Sequence, residues 1–253
     1  MKNKIRAVIC LFSFLLSIFT VVISANDDAR NWYFKRCGNN TPSFPHDSQM
    51  VMENGGIFIG NTNEKKIYLT FDAGYENGNV EKILDILKEK NVPGAFFILK
   101  NVVLSNPDLI KRMDSEGHLV CNHTKNHKDM TTLTDEEMRL NLKLLDDLCY
   151  EKTGVKISPF FRFPEGRYNE RTVKNASKFG YTTVFWSLSY ADWDNNNQKN
   201  DDFAINKLIS NTHNGAIVLL HPTSETNVRI LGTVIDTWRQ MGYSFGSLDE
   251  LVA

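Results

Sequence analysis

Six side chains able to move protons or hold an ion recur along this chain: Asp72, His123, His127, Arg162, Asp192 and His221. Each stands at the end of, or just beyond, a short apolar run. Carboxylates and imidazoles are the groups that take up and release protons near neutral pH, and an arginine beside a carboxylate keeps it ionised. Asp72 and Asp192 are thus candidate bases or orienting carboxylates, and His221 is a candidate acid. His123-Thr-Lys-Asn-His127 sets two imidazoles four residues apart, within reach of one metal ion from a loop or a helical turn. Thr124 stands where a metalloprotease helix carries its glutamate, which argues against a proteolytic zinc site. Any one of these residues is readily a cap or a surface group. Six together are harder to explain as packing, because buried charges are costly without partners.

The elements that must position them alternate strand and helix from Lys66 onward. Lys66–Asp72 predicts a first strand, Gly94–Leu99 a second, His118–Cys121 a third and Phe160–Phe163 a fourth. Tyr181–Leu188, Ala216–His221 and Tyr243–Phe245 complete seven. Between them, Asn79 is a candidate cap for a helix striped with Val80, Ile83, Leu84 and Leu87. Pro107 opens a helix that stops near Gly117. Thr134 to Glu137 has the capping-box spacing, opening a helix through Met138, Leu142, Leu145 and Cys149 that ends at Gly154. Further helices are expected from about Asn169 to Gly180, from Asp202 to Thr212, and through Val228, Leu231, Ile235 and Trp238.

Such alternation implies an α/β fold with parallel pairing through right-handed crossovers. A (β/α) barrel short of eight strands and an open doubly wound sheet both fit. No glycine-rich phosphate loop follows the first strand, as a dinucleotide fold would need, so the barrel is favoured. In either fold the functional residues gather at the carboxyl ends of the strands, where these six lie. Residues 26–65 break the rhythm. Their Pro, Asn and Gly content and the run Trp32-Tyr33-Phe34 predict a loop-rich lead segment packed on a domain spanning 66–253.

The 253 residues are 42 % hydrophobic and 23 % charged, a profile that excludes a disordered or multi-spanning chain. A net charge of −1 and a pI near 6.6 leave no basic footprint for nucleic acid. Lys2, Lys4 and Arg6 precede an apolar run from Ala7 to Ile23, and Ser24-Ala25 leads into Asn26-Asp27-Asp28. That predicts a signal peptide over 1–25 and an extracytoplasmic protein. An uncleaved anchor is the alternative, and the only expected route to a membrane. Beyond Cys10, the cysteines Cys37, Cys121 and Cys149 match no zinc module or disulfide framework. Cys121 and Cys149 are expected to pack in the core.

Five ordered segments carry a resemblance: Thr70-Phe-Asp-Ala-Gly74, His123-Thr-x-x-His127, Arg162-Phe-Pro164-Glu-Gly166, Asp192-Trp193 and Leu219-Leu220-His221. In order and spacing they resemble the motifs of the polysaccharide deacetylase family, the chitooligosaccharide/peptidoglycan deacetylase homology domain. That resemblance implies a distorted seven-stranded (β/α) barrel. The continuation Ala73-Gly-Tyr75-Glu76-Asn77-Gly78, the run Phe185-Trp186-Ser187-Leu188 and the aromatic lead segment look like the muramic-acid de-N-acetylases that make δ-lactam in spore cortex peptidoglycan.

The resemblance implies a role for each position. Asp72 matches the general base and Arg162 the arginine that pairs with it. His123 and His127 match the ligands of a divalent metal, with zinc the expected ion. His221 matches the general acid and Asp192 its carboxylate partner. Tyr75, Pro164, Gly166, Trp193 and Leu219 match substrate-binding positions. Two departures stand out. Ala73 occupies the place of the family's third, carboxylate metal ligand, which weakens the expected site, and Glu76 is one candidate replacement. Glu165 puts a negative charge on the rim where relatives carry arginine or an aromatic residue.

The implied function is a secreted peptidoglycan N-acetylmuramic acid deacetylase, a hydrolase of linear amides in the cell wall or between the membranes of a developing spore. Its partner is the glycan strand. The alternatives are a deacetylase of N-acetylglucosamine in peptidoglycan or chitin-like oligomers, and a catalytically weakened glycan-binding member, for which Ala73 is the sequence support.

Overall fold

Strict alternation in Lys66–Ala73 decides what faces what. Ile67, Leu69, Phe71 and Ala73 pack outward with Ile83, Leu84, Leu87, Ile235 and Trp238 of the surrounding helices. Tyr68 packs inward with Phe97, Cys121, Phe160, Val184 and Ile217. Apolar side chains on both faces require cover on both, which is the condition of a parallel barrel strand. The computed structural model describes residues 28–252; the expected signal segment lies outside them. None of the described helices is long and apolar enough to cross a membrane.

The strands of the barrel sheet are β1 (Lys66–Ala73), β2 (Gly94–Ile98), β3 (Leu119–Asn122), β4 (Ser158–Phe161), β5 (Thr182–Thr183), β6 (Leu188–Ser189), β7 (Ala216–Leu220) and β8 (Ser244–Phe245). They run in the order β6-β7-β1-β2-β3-β4-β5, all parallel, with β8 beside the start of β1. The helices around them are α1 (Val80–Lys90), α2 (Lys100–Ser105), α3 (Pro107–Ser115), α4 (Asp135–Thr153), α5 (Glu170–Lys178), α6 (Asp201–Ile209) and α7 (Glu225–Gln240). This is the expected distorted barrel.

The distortion sits in the fifth expected strand. Tyr181–Leu188 does not form one strand: its first half pairs with β4 and its second half with β7. Val184 N–H still donates to Phe161 O (2.8 Å), whereas Ser187 N–H donates to Ile217 O (2.9 Å). One irregular segment thus spans both edges of the sheet. Ile57 wedges against it, donating to Thr183 O and accepting from Phe185 N–H, each at 2.8 Å. Trp32 fixes the other end of this lead segment. It stacks on Phe185 with ring centroids 4.4 Å apart, and its indole N–H donates to Trp186 O (2.9 Å).

Thr134 and Glu137 make the full capping box at α4, and Gly154 ends that helix with φ of 76°. Asn79 does not cap α1 with its side chain. Its amide instead donates to Thr223 O, as does that of Asn77, both at 2.9 Å. The loop after β1 is thereby tied to the loop after β7. The short helix α2 was not foreseen, because no side chain caps its start. Cys121 and Cys149 are buried, as expected, while Cys37 is an exposed thiol.

Candidate active site

Arg162 follows β4 and reaches across the barrel interior, fully buried, with its guanidinium 4.1 Å from the Phe97 ring centroid. Its nitrogens donate to Asp72 Oδ1 (2.7 Å), Thr70 Oγ1 (2.8 Å) and Val184 O (3.0 Å). A buried guanidinium with its donors used in three directions is a rigid clamp. Burial by itself would push the Asp72 carboxyl up. The charge on Arg162 outweighs that, helped by His123 and His221, and holds it below the ordinary range. Asp72 is therefore an ionised carboxylate at neutral pH.

His123 lies next to it, with Nε2 3.6 Å from Asp72 Oδ2. Its Nδ1 sits 2.9 Å from Arg162 O. A carbonyl only accepts, so Nδ1 carries the proton and Nε2 keeps its lone pair. Burial, the main cause, lowers its pKa to about 4, leaving the neutral ring that ligates metals. The His127 ring lies 5.0 Å from that of His123. The intervening loop is held in an unusual shape, with Thr124 at φ 74° and His127 at φ 55°. Left-handed backbone at such residues persists only when surroundings fix it. Here Asn122 Oδ1 accepts from Thr124 N–H (2.8 Å), Asn141 Oδ1 from Lys125 N–H (2.7 Å) and Thr124 Oγ1 from His127 N–H (2.9 Å).

Those two imidazoles are what the chain offers a metal. Ala73 is fully buried in the apolar layer between sheet and helices. Glu76 accepts from Gly78 N–H of its own loop. Among the described residues no group of three or more His, Cys, Asp or Glu side chains is arranged around one point. The donor set fits an ion that completes its shell with water or substrate oxygen, as open catalytic sites do, and not a closed structural site.

His221 follows β7 directly, on the same inner face. Leu220 pairs with Phe71 in the parallel ladder, so His221 and Asp72 follow side by side. His221 Nδ1–H donates to Asp192 Oδ1 (2.8 Å) and its backbone N–H to Asp192 Oδ2 (2.7 Å). Burial opposes the charged ring, but the Asp192 carboxylate outweighs it and raises the His221 pKa. Nδ1 is committed to Asp192, which leaves Nε2–H of the imidazolium to be given away.

Sequence reading missed Asn227, which lies buried on α7. Its amide donates to Asp192 Oδ2 (2.6 Å) and His221 O (2.9 Å), and its Oδ1 accepts from Tyr190 OH (2.5 Å). Also missed were Thr70, whose hydroxyl donates to Val218 O (2.7 Å), and Asn122, whose amide donates to Leu142 O (3.0 Å) and Asp146 Oδ1 (2.8 Å). The available signal was a polar residue within an otherwise apolar stripe.

The remaining expected site residues divide by exposure. Trp193 (63 % exposed) and Tyr75 (49 % exposed) stand at the rim, Trp193 with its ring centroid 6.3 Å from that of His221. Leu219 is buried one alternation below His221. Pro164 lines a cavity of about 240 Å³ with His127, Asp129, Glu165 and Arg167. Gly166 is buried, at φ 64°, and a Cβ there would lie 2.7 Å from the Trp186 ring. It supports the wall rather than lining the cavity.

Comparison with known proteins places the chain in a family. Residues 59–184 match the polysaccharide deacetylase family model. The chain is 40 % identical over 224 residues to the peptidoglycan-N-acetylmuramic acid deacetylase PdaA of Bacillus subtilis, covering 88 % of this chain and 85 % of that protein. The solved structure of Bacillus subtilis PdaA, a family 4 carbohydrate esterase, superposes with a TM-score of 0.87 at 39 % identity, covering 90 % and 98 % of the two chains. A peptidoglycan-N-acetylglucosamine deacetylase, PgdA of Listeria monocytogenes, is 32 % identical over 187 residues, covering 74 % of this chain and 39 % of that protein. An ionised carboxylate clamped by arginine, facing a carboxylate-backed imidazole at the mouth of a barrel of this shape, thus has a family: the chain belongs to the polysaccharide deacetylases, hydrolases that act on amide carbon–nitrogen bonds.

Proposed function

We propose that the protein removes the acetyl group from N-acetylmuramic acid residues of peptidoglycan, outside the cytoplasm, in the formation of muramic δ-lactam in spore cortex. The observation that carries the chemistry is the adjacency of Asp72 and His221 on paired strands, with opposite proton affinities. The 40 % identity to a muramic acid deacetylase supports the choice of sugar, and the basic and apolar N-terminus supports export.

In this reading Asp72, kept ionised and oriented by Arg162, takes a proton from the water that attacks the acetyl carbonyl carbon. His221 gives its Nε2 proton to the departing nitrogen as the carbon–nitrogen bond breaks, leaving acetate and a free amine. Asp192 holds the ring in place and favours its protonated form. A divalent metal, with zinc the expected ion, would be held by His123 Nε2 and His127 and would supply Lewis acidity toward the acetyl oxygen. Trp193 and Leu219 border the space for the acetyl methyl group, and Tyr75, Pro164 and Gly166 shape the approach of the sugar.

The test is acetate release from defined muramic acid oligomers, with the deacetylated sugar identified, in the presence and absence of a chelator and added zinc. Asp72→Asn is expected to lower turnover by roughly 10²–10⁴-fold while glycan binding stays near normal. Equal activity in variant and wild type would contradict the assigned base. The second reading, deacetylation of N-acetylglucosamine, draws on the likeness to PgdA; release of acetate from glucosamine units alone would establish it instead.

A further inference from the structure

The chemistry above leaves a second cavity unused. It measures about 360 Å³ and is lined by Arg30, Tyr33, His46, Asp47 and Tyr168, among others. Its volume is that of a small-molecule site. A two-residue antiparallel ladder, Arg30 with Tyr168 and Asn31 with Arg167, runs between it and the cavity lined by His127. Arg167 lines the cavity that holds His127, and Tyr168, the next residue, lines this one.

Its lining has the chemistry of a sugar site. Asp47 Oδ2 accepts from Arg30 Nη1 (2.7 Å) and from Tyr168 OH (2.8 Å). The other oxygen, Oδ1, has no hydrogen-bond partner among the described residues. Arg30 and Asp47 neutralise one another, so the cavity offers both donors and acceptors with little net charge. That suits hydroxyls, which donate and accept, better than an anion. Tyr33 adds an apolar platform, 61 % exposed. Its backbone is fixed by its neighbour: Trp32 is buried, donates its N–H to Gly166 O (2.8 Å) and stacks on Phe185. A tyrosine on an anchored backbone loses little freedom when a pyranose face settles on it.

We propose that this cavity is a second sugar subsite, taking an uncharged pyranose of the same glycan strand next to the unit that is deacetylated. The inference rests on the glycan deacetylase reading and adds strand-length selectivity to it.

Binding measured in the Asp72→Asn background separates the two. Titration calorimetry with peptide-free muramic acid–glucosamine oligomers is expected to give tighter binding as length grows. Adding Tyr33→Ala is expected to weaken binding of the disaccharide and longer oligomers about tenfold and to leave single N-acetylmuramic acid unchanged, with Tyr33→Phe retaining wild-type behaviour. Arg30→Ala, at the exposed end of the ion pair, is expected to follow Tyr33→Ala. Loss at every length, or at none, overturns the subsite while the deacetylase reading stands. Failure of the Asp72→Asn parent to bind any glycan removes that reading, and the subsite with it. Thermal melts that coincide with the parent's confirm that each variant is folded.

Discussion

Asn227 stands directly behind the Asp192–His221 pair, its amide nitrogen 2.6 Å from Asp192 Oδ2 and 2.9 Å from His221 O. One buried amide thereby sets the angle between carboxylate and imidazole. Asn227→Ala is expected to lower kcat by roughly tenfold or more with KM little changed, because the ring loses its fixed aim and not its substrate. Asn227→Asp is expected to do worse, since two carboxylates at this spacing cannot both remain ionised. Steady-state kinetics of the two variants with circular dichroism as a folding control would check this. A change confined to KM would contradict it.

The pH dependence has a definite sign. In the proposed mechanism His221 acts in its protonated form, and Asp192 raises its pKa above the ordinary 6.5. Activity is therefore expected to fall as pH rises through that raised value. Asp192→Asn removes the carboxylate and is expected to move the alkaline limb of the kcat/KM profile to lower pH. The acid limb, set by Asp72 and Arg162, is expected to stay. A profile that shifts at the acid side instead would reassign the groups.

Acid stability is expected to track the buried histidines His118, His123 and His213, whose pKa values burial lowers. His118 and His123 have pKa values lowered to about 4, in both cases chiefly by burial. Between about 6.5 and 4 the unfolded chain binds more protons at these residues than the folded one, so stability falls as pH drops through that window. His118 Nδ1 accepts from Gly94 N–H (3.1 Å), while its Nε2 is buried without a partner among the described residues. His118→Leu is expected to flatten the melting temperature against pH over this range. An unchanged slope would show that other groups control it.

Gly166→Ala is expected to destabilise the fold by more than about 1 kcal/mol, through the positive φ and the clash with Trp186. Gly180→Ala is the control: φ is 89° there, but nothing lies within 4 Å of the added carbon. Denaturant melts of both variants would separate backbone strain from crowding. Equal losses would remove the packing role of Gly166.

What was legible in the chain follows from how local each signal is. Alternation in Lys66–Asp72 and the Thr134–Glu137 box depend on neighbours a few residues away, and both appear as read, the strand running one residue further, to Ala73. The six chemical residues are marked by their rarity at strand ends. The break in Tyr181–Leu188 is invisible locally, because its apolar pattern is continuous and the interruption comes from Ile57. Asn79 has the type and position of a cap, yet its amide is drawn to Thr223 O by the loop across the barrel mouth. Asn227 is marked only as a polar residue on the apolar stripe of its helix, and its role emerges once Asp192 is known to lie beside it.

The wedge at Ile57 bears on the order of events during synthesis. Trp32 and Ile57 leave the ribosome early, but the residues they grip, Gly166, Thr183, Phe185 and Trp186, emerge far later. Until then an aromatic-rich stretch waits without its seat, and the ring of strands cannot shut. Closure is thus a late, long-range step, the kind that slows folding and leaves sticky surface open to solvent. Fast synthesis at high concentration is thus expected to favour association between unfinished chains through that stretch.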